Sequence, residues 1–332
     1  MIINRTPFQI SLFGGGTDYP FYYEKNNGSV LSTTINHYGY TSIRTLPPYF
    51  KYNYSFRYSI SETCKHIDDI KHDIARECLR YLKHSSGIEM TYSGDIPASS
   101  GIASRSSFCV GFLHALYSLQ GKMISKSKLA IEATRIEREN VGDYIGSQEA
   151  VMAAFGGFNL IDFNADGSFQ VTPITMALDR LRYLNDRLLF FYTGVPVMDS
   201  KVAIKEVMEE PSTIKNLSEI KMLVSEAVRN INSGTKCFDD IGRILHESWI
   251  IKKKIFQYMS NPILEDIYQK ALKAGAIGGK LCGVGGSFFL FYVPIEKQNE
   301  VINALSNFLN VPFNIENSCS QIIFYMPNRE YK

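Results

Sequence analysis

The first 60 positions mix β-branched and aromatic residues with polar ones in short stretches, a pattern that predicts β-strands. The stretches are rich in Tyr, Ile, Thr and Phe, and Gly, Pro and Asn separate them. The predicted strands are Ile2–Phe13, Ser29–Ile35, Tyr40–Leu46 and Tyr52–Tyr58. We therefore expect the chain to begin with a sheet.

Helical spacing of apolar residues comes next. Leu129, Ala133 and Ile136 follow the spacing of one helical face and predict an amphipathic helix over Ser127–Asn140. A polar helix, a short strand, an apolar helix and a hairpin complete this part of the chain. In chain order they are Lys71–Lys83, Ile88–Ser93, Phe108–Leu119, and the strand pair Phe158–Phe163 and Phe169–Thr172.

The pattern starts afresh around Ala177–Asn185. A strand, then helices through Tyr258, then alternating helices and strands favour a βαβ-type layered sandwich here. One of these helices ends at Gly275, a natural left-handed cap. The bounds are Arg187–Tyr192, Leu264–Ala274, Ser287–Val293, Gln298–Leu309 and Gln321–Tyr325. We therefore expect an α+β fold with two domains, residues 1–185 and 186–332.

Composition and charge exclude several classes of protein. The 35 Lys+Arg against 33 Asp+Glu leave a net charge of +2, too little for a general grip on nucleic acid or an anionic membrane. The hydrophobic content of 45% suits a packed core rather than disorder. Apolar runs are too short for a signal peptide or a membrane span, and the six cysteines lack metal-ligand spacing. We expect a cytoplasmic globular protein with reduced thiols.

Three consecutive glycines follow the first predicted strand directly. Gly14, Gly15 and Gly16 leave the backbone bare, so a ligand can lie against main-chain N–H groups. Asp18 then offers a carboxylate to sugar hydroxyls. A flexible turn with an exposed aspartate is an equally good interpretation of these residues alone.

A serine-rich loop, Asp95–Ser107, lies between a predicted strand and the apolar helix. Its five serines and the N–H groups of the helix start can surround an anion. It lacks the lysine of a P-loop and the GxGxxG spacing of dinucleotide-binding proteins. Helix capping requires fewer serines than five, so phosphate binding is favoured over a simple N-cap.

A third loop, Gly275–Ser287, holds six glycines in thirteen residues. A tight connection between a helix and a strand needs two or three, so the remaining ones indicate a close approach of the backbone to another group. Lys280, within this loop, is either a contact for a phosphate or an ordinary solvated lysine.

In this order the loops resemble those of the GHMP small-molecule kinases, and most of all the D-glycero-D-manno-heptose 7-phosphate kinases. The resemblance extends over essentially the whole chain and rests on six motifs. They are Arg5-Thr6-Pro7, Gly14–Tyr19, Asp95-Ile96-Pro97, Gly146-Ser147-Gln148, Ala154–Asn159, and Gly278–Lys280 followed by Gly283–Gly286.

The resemblance implies a ribosomal-S5-like N-terminal domain and a ferredoxin-like C-terminal domain, with ATP and a sugar phosphate meeting between them. The expected catalytic base is Glu149, and Ser104 and Glu137 would hold Mg²⁺. The ATP phosphates would be bound by Pro97, Ser99, Ser100, Gly101, Ile102, Ala103, Ser104, Arg105 and Ser106. The sugar would be bound by Gly14, Gly15, Gly16, Thr17, Asp18, Gly283, Gly285 and Gly286.

Several motif positions depart from the family pattern. Gln9 stands where the family has an arginine that supports the base, and Glu149-Ala150 replaces an Asp-Gln pair. In the phosphate loop, Ala103 replaces a glycine and Arg105 a serine. Arg105 would either clamp a phosphate or fill the nucleotide pocket. Two further departures are Ser287 for a late glycine, and Pro196-Val197-Met198 without an expected arginine.

Two functions stay open. The first is ATP-dependent phosphoryl transfer to the anomeric hydroxyl of D-glycero-D-manno-heptose 7-phosphate, giving the 1,7-bisphosphate for nucleotide-heptose synthesis. The alternative, motivated by Gln9, Arg105, Glu149 and Ala150, is a non-catalytic or weakly active relative that binds sugar phosphate or nucleotide. An RNA-binding module has only fold analogy in its favour. The sequence does not reveal the oligomeric state, and a homodimer is one option.

Overall fold

The computed structural model describes residues 1–97, 101–195, 200–208, 210–234, 238–283 and 287–327. Several predicted positions lie outside the described residues: Ser99, Ser100, Pro196-Val197-Met198, Gly285 and Gly286. Two sheets with helices packed against them confirm the expected α+β class. Within the described ranges, no helix is both long and apolar enough to cross a membrane.

The described strands are thirteen in number, and three of them, β1, β6 and β13, have the bounds that the sequence predicts. They are β1 (Ile2–Phe13), β2 (Gly28–Thr45), β3 (Tyr54–Arg57), β4 (Ser61–Cys64), β5 (Ile88–Gly94), β6 (Phe158–Phe163), β7 (Phe169–Pro173), β8 (Leu188–Tyr192), β9 (Gly278–Leu281), β10 (Phe288–Tyr292), β11 (Leu309–Asn310), β12 (Ile315–Glu316) and β13 (Gln321–Tyr325).

The α-helices of the described residues include three short ones that the sequence did not predict, α1, α5 and α6. In chain order the α-helices are α1 (Pro20–Asn26), α2 (Asp73–Tyr81), α3 (Ser104–Leu119), α4 (Lys126–Arg135), α5 (Gln148–Phe155), α6 (Leu178–Asn185), α7 (Ser200–Val207), α8 (Pro211–Asn232), α9 (Asp239–Ile255), α10 (Pro262–Lys273) and α11 (Gln298–Ala304).

The first sheet has the order β13-β1-β2-β5-β3-β4, with β6, β7 and β12 attached through β2 and β6. Two predicted strands, Ser29–Ile35 and Tyr40–Leu46, are one 18-residue strand, β2. They merge because β1 pairs along both parts, with Ile10 opposite Thr33 and Thr6 opposite Gly39. After the second sheet the chain returns here, since β12 pairs with β2 and β13 with β1.

The second sheet has the order β11-β8-β10-β9. All of its described neighbouring strands are antiparallel. Strands β8 and β9 flank β10, run parallel to each other and are connected through helices, so they form a split βαβ unit. Strands β10 and β11, on either side of β8 and connected through α11, form a second one. The strand β9 occupies part of the expected third glycine loop. A Cβ on Gly278 would lie 2.0 Å from the carbonyl oxygen of Gly242 in α9, so at least this glycine serves helix packing.

Helix α3 begins at Ser104, four residues before the predicted start, because its first turn consists of serines rather than apolar residues. It packs closely on β1, where a Cβ on Gly111 would lie 2.7 Å from both Asn4 Oδ1 and Thr6 Oγ1. The predicted helix Ser127–Asn140 is α4 followed by a π-helical turn at Ile136–Asn140. Such turns often occur at functional sites.

Candidate active site

Glu137 lies in the π-helical turn after α4 and its side chain is fully buried. Its Oε1 accepts a hydrogen bond of 3.1 Å from Ser106 Oγ. Among the described residues, its Oε2 has no hydrogen-bond partner. Burial, and then repulsion by the nearby Glu149, raise the pKa of Glu137 to about 8. The free oxygen is thus a ready ligand for a cation.

Glu149 stands in the first turn of α5, and the Ser106 hydroxyl connects it to Glu137. Ser106 Oγ is 3.4 Å from Glu149 Oε2, so the hydroxyl lies between the two carboxylates. Burial, and then the charge of Asp18, raise the pKa of Glu149 to about 7. A carboxylate with a pKa near neutrality is well suited to accept a proton as a general base.

Asp18 clamps the triple-glycine loop to the start of α5. Its fully buried carboxylate accepts hydrogen bonds from the backbone N–H of Gly16, at 3.0 Å, and of Gln148, at 3.2 Å. A Cβ on Gly146 would lie 1.8 Å from Asp18 Oδ2, so this position leaves no room for a side chain. Burial raises the pKa of Asp18. A flexible turn with an exposed aspartate is therefore wrong, whereas sugar binding by Asp18 stays a prediction.

Thr17 fastens the other side of the same loop. Its hydroxyl lies 2.8 Å from the carbonyl oxygen of Gly14 and 2.9 Å from that of Ser29. It also accepts a hydrogen bond from the Ser29 N–H. With Thr17 and Asp18 both engaged, Gly15 lies in a loop of fixed shape at the base of the site.

The serine-rich loop expected to bind the ATP phosphates joins α3 through Ala103, which has a left-handed backbone conformation. Gly101 and Ala103 both have positive φ, +81° and +66°, and Ile102 between them is buried. Ser104 is buried in the first turn of the helix, while Pro97 is exposed. The N-terminus of a 16-residue helix favours negative charge, so this is where we expect the ATP phosphates.

Arg105 is bound by two carboxylates. Its Nη2 donates to Asp143 Oδ2 at 2.6 Å and to Asp73 Oδ2, at the start of α2, at 3.2 Å. Asp143 is almost fully buried, whereas the arginine side chain is 46% exposed. In this arrangement the two carboxylates neutralise the charge of the Arg105 guanidinium. The structure therefore supports neither of the two expectations for Arg105, that it binds a phosphate or that it fills the nucleotide pocket.

The remaining predicted positions lie close by or are buried in the core. A Cβ on Gly283 would lie 2.5 Å from the carbonyl oxygen of Gly101, so the third loop touches the phosphate loop. Gln9 is buried in β1, and Ala150 is buried in α5. Ser287 is buried and donates to the carbonyl oxygen of Val195.

Lys280 is not solvated. Its side chain is 1% exposed, and its Nζ donates to the carbonyl oxygens of Ser11 and Leu12, at 2.6 and 3.3 Å. Burial lowers the pKa of Lys280 to about 7. This lysine ties β9 to the end of β1, immediately before the triple-glycine loop.

Lys252 on α9 is a buried cation that the sequence analysis missed. Its side chain is 5% exposed, and burial lowers its pKa, while the negative charges of Asp18 and Glu149 oppose that change. It is the first of three consecutive lysines, Lys252–Lys254, near the end of α9. The helical spacing of Leu245, Trp249, Lys252 and Phe256 is the signal that places it on the buried face.

A cavity of about 400 Å³ opens beside Tyr19, the residue after Asp18. Its charged lining groups are Arg138 and Asp143. Its aromatic and aliphatic lining residues include Tyr19, Phe21, Tyr144, Ile145, Ile204 and Met208. Arg138 is held in place by hydrogen bonds to the carbonyl oxygen of Ile145, to Tyr23 and to Ser147. A cavity of this size suits a small polar molecule.

The Mg²⁺ implied by the family resemblance fits the carboxylate side of this site. No group of three or more His, Cys, Asp and Glu side chains in the described part of the chain could hold a metal ion alone. Mg²⁺ usually binds through one or two carboxylates together with phosphate oxygens and water. The free, buried Oε2 of Glu137 beside the Ser106 hydroxyl meets that requirement.

Comparison with known proteins shows the family of the chain. The family model of the GHMP kinase N-terminal domain matches residues 71–157, and that of the C-terminal domain matches residues 225–311. D-glycero-alpha-D-manno-heptose 7-phosphate kinase of Campylobacter jejuni is 28% identical over 320 residues, which cover 92% of this chain and 93% of that protein.

Solved structures share the fold. The crystal structure of a D-glycero-D-manno-heptose 1-phosphate kinase from Bacteroides thetaiotaomicron has a TM-score of 0.79 at 22% identity, covering 96% of this chain and 98% of its own. Lactococcus lactis galactokinase complexed with galactose has a TM-score of 0.76 at 15% identity, with 97% and 95% covered. The predicted two-domain fold is thereby confirmed, and the chain belongs to the GHMP kinases, phosphotransferases with an alcohol group as acceptor.

Proposed function

We propose that this GHMP kinase transfers the γ-phosphoryl group of ATP to the anomeric hydroxyl of D-glycero-D-manno-heptose 7-phosphate, giving the 1,7-bisphosphate. The similarity to the Campylobacter jejuni enzyme along 92% of the chain supports this acceptor. The observation that supports the proposal is the contact of the Ser106 hydroxyl, near the start of α3, with Glu137 and Glu149. In the proposed reaction Glu149 is the general base and Glu137 is the cation ligand beside it.

The reaction needs one proton transfer and one displacement. Glu149 accepts the proton of the acceptor hydroxyl, and the oxygen forms a bond to the γ-phosphorus. The bond from that phosphorus to the β–γ bridging oxygen breaks, and its electron pair leaves with ADP. An anomeric hydroxyl is more acidic than an ordinary alcohol, which suits a carboxylate base of pKa about 7.

The other site residues position the reactants. The ATP phosphates would lie at the N-terminus of α3, near Gly101–Ser106, and Glu137 with Ser104 and Ser106 would hold Mg²⁺. When bound, Mg²⁺ neutralises charge on the phosphates. The sugar would occupy the cavity beside Tyr19, where the Arg138 guanidinium adds a positive charge.

The test is ADP release with ATP and Mg²⁺ over a panel of acceptors: heptose 7-phosphate, heptose 1-phosphate, galactose and homoserine. We expect turnover to be fastest with heptose 7-phosphate, and ³¹P NMR to show a new anomeric phosphate. Faster turnover with another acceptor would overturn the substrate assignment. Absence of ATP binding in calorimetry would favour the non-catalytic alternative.

A further inference from the structure

Three polar groups converge on one point above Gly15. A Cβ placed on this residue would lie 3.2 Å from Ser11 Oγ, 3.4 Å from Gln148 Nε2 and 3.7 Å from Lys252 Nζ. Gly15 itself does not have a positive φ, so backbone conformation does not require a glycine here. Because the glycine carries no side chain, a small ligand group can approach its backbone from this side, between the three polar atoms.

The three groups around this point are available as hydrogen-bond donors to a ligand. Within the described ranges, Ser11 Oγ is buried and has no hydrogen-bond partner. The Lys252 side chain is 5% exposed, and its Nζ takes part in none of the hydrogen bonds or ion pairs of the described residues. Gln148 accepts a hydrogen bond from Ser32 through its Oε1, which leaves the Nε2 donor facing the point. A hydroxyl, an amide N–H and an ammonium together select a negatively charged oxygen.

Lys280, a second buried lysine of the same region, differs from Lys252 in its hydrogen bonds. Its ammonium is also buried, but two backbone carbonyl oxygens accept its hydrogen bonds. No backbone carbonyl oxygen accepts a hydrogen bond from Lys252 Nζ among the described residues. Burial lowers the pKa of Lys252, and Cys282, Asp18 and Glu149 oppose that change. Its ammonium is therefore available to a ligand in a way that the Lys280 ammonium is not.

We propose that Lys252, Ser11 and Gln148 form an oxyanion subsite above Gly15 that binds the reacting oxygen of the acceptor. This inference rests on the proposed phosphoryl transfer and names the group that stabilises its nucleophile. As Glu149 removes the hydroxyl proton, negative charge develops on the acceptor oxygen, and the Lys252 ammonium stabilises it. The family resemblance places an arginine at position 9, where this chain has the neutral, buried Gln9. Lys252 supplies a positive charge from the other half of the chain.

The first test replaces the ammonium. Lys252→Met should keep the fold, because an apolar residue of similar length replaces a buried charge. We expect kcat to fall by about 10²–10³-fold, with ATP affinity in calorimetry within about twofold of the wild type. Lys252→Arg should recover part of the rate. The matched control is Lys253→Met, which removes the next lysine, paired with Glu265 near the surface, and should stay within about twofold of the wild-type rate.

The second test fills the subsite without touching a charge. Gly15→Ala places a methyl group on the point itself, so we expect kcat/KM for the acceptor to fall by at least tenfold with ATP affinity unchanged. Thermal unfolding of each variant checks that the protein is folded.

Both tests use whichever acceptor the wild-type enzyme phosphorylates. Wild-type turnover only with an acceptor other than heptose 7-phosphate would overturn the proposed substrate, while the ratios between variants and wild type would still decide the subsite. A Lys252→Met variant with kcat within threefold of wild type would overturn the subsite alone. A wild-type protein without turnover on any acceptor would overturn both proposals.

Discussion

The two halves of the chain bring opposite charges to the same cleft. The first half contributes the buried carboxylates Asp18 and Glu137 and the half-buried Glu149. The second half contributes the buried lysines Lys252 and Lys280. Burial raises the pKa of each carboxylate and lowers that of each lysine. Without the other half of the chain, burial would therefore favour the neutral form of these groups. Because the charges face one another, the site is an electrostatic unit only when both halves are packed together.

The two sides also differ in how firmly their charged groups are held. Asp18 is bonded by backbone N–H groups and Lys280 by backbone carbonyl oxygens. The Oε2 of Glu137 and the ammonium of Lys252 have no such partners among the residues the structure describes. Each side thus pairs one fixed charge, which holds the loops in place, with one that is free for a ligand.

Glu149→Gln should give the largest effect, because it removes the base from the acidic side and leaves the basic side intact. We expect turnover in the ADP-release assay to fall by about 10²–10⁴-fold, with ATP affinity retained. Glu132→Gln is the matched control, since Glu132 is a buried carboxylate of α4 bonded to Tyr117. A rate for Glu149→Gln within tenfold of wild type would contradict the role of Glu149.

Arg105→Ser tests whether Arg105, like Lys252, offers its positive charge to a ligand. Its guanidinium is bound to Asp73 and Asp143, so we expect ATP affinity to change by less than about threefold. Denaturant unfolding should show a loss of about 1 kcal/mol, because the buried Asp143 carboxylate loses its ion pair with Arg105. Arg135→Ser, which removes an exposed pair with Glu139, should cost less than half of that. A large gain in ATP affinity would mean that Arg105 obstructs the nucleotide.

Ala103→Gly should give the smallest effect and act on stability. A left-handed alanine is strained relative to glycine, and Ala103 has a φ of +66° just before α3. We expect the free energy of unfolding to rise by up to about 1 kcal/mol. Ala115→Gly, in the interior of the same helix, should lower it by about 1 kcal/mol. Equal losses in both variants would show that the loop is not strained.

The sequence predicted the elements whose pattern is local. The strand bounds Ile2–Phe13 and Gln321–Tyr325 agree residue by residue, because both strands are rich in β-branched and aromatic residues. The start of α3 was misplaced, since serines carry no apolar periodicity. Strand β9 was taken for a loop, because its glycines accommodate α9, a contact distant in sequence.

The site also contains residues that the sequence identifies and contacts that only the fold creates. Glu137, Glu149 and Ser106 could be named from motifs, and the structure brings them into contact. The partners of Arg105 could not be foreseen, since Asp73 and Asp143 lie 32 and 38 residues away along the chain. Lys252 stands in a run of three lysines, and the spacing of Leu245, Trp249 and Phe256 places it on the buried face of α9. Its position beside Gly15 depends on the packing of α9, which the sequence does not reveal.

The central claim, that the acidic and basic sides act as one unit in turnover, is tested most directly by a double-mutant cycle. It compares kcat for Glu149→Gln, for Lys252→Met and for the variant carrying both. Lys252 stabilises an oxygen that becomes negative only as Glu149 takes its proton, so we expect the double variant to be within about threefold of Glu149→Gln alone. Losses that multiply in the double variant would show that the two residues act independently and would contradict the account.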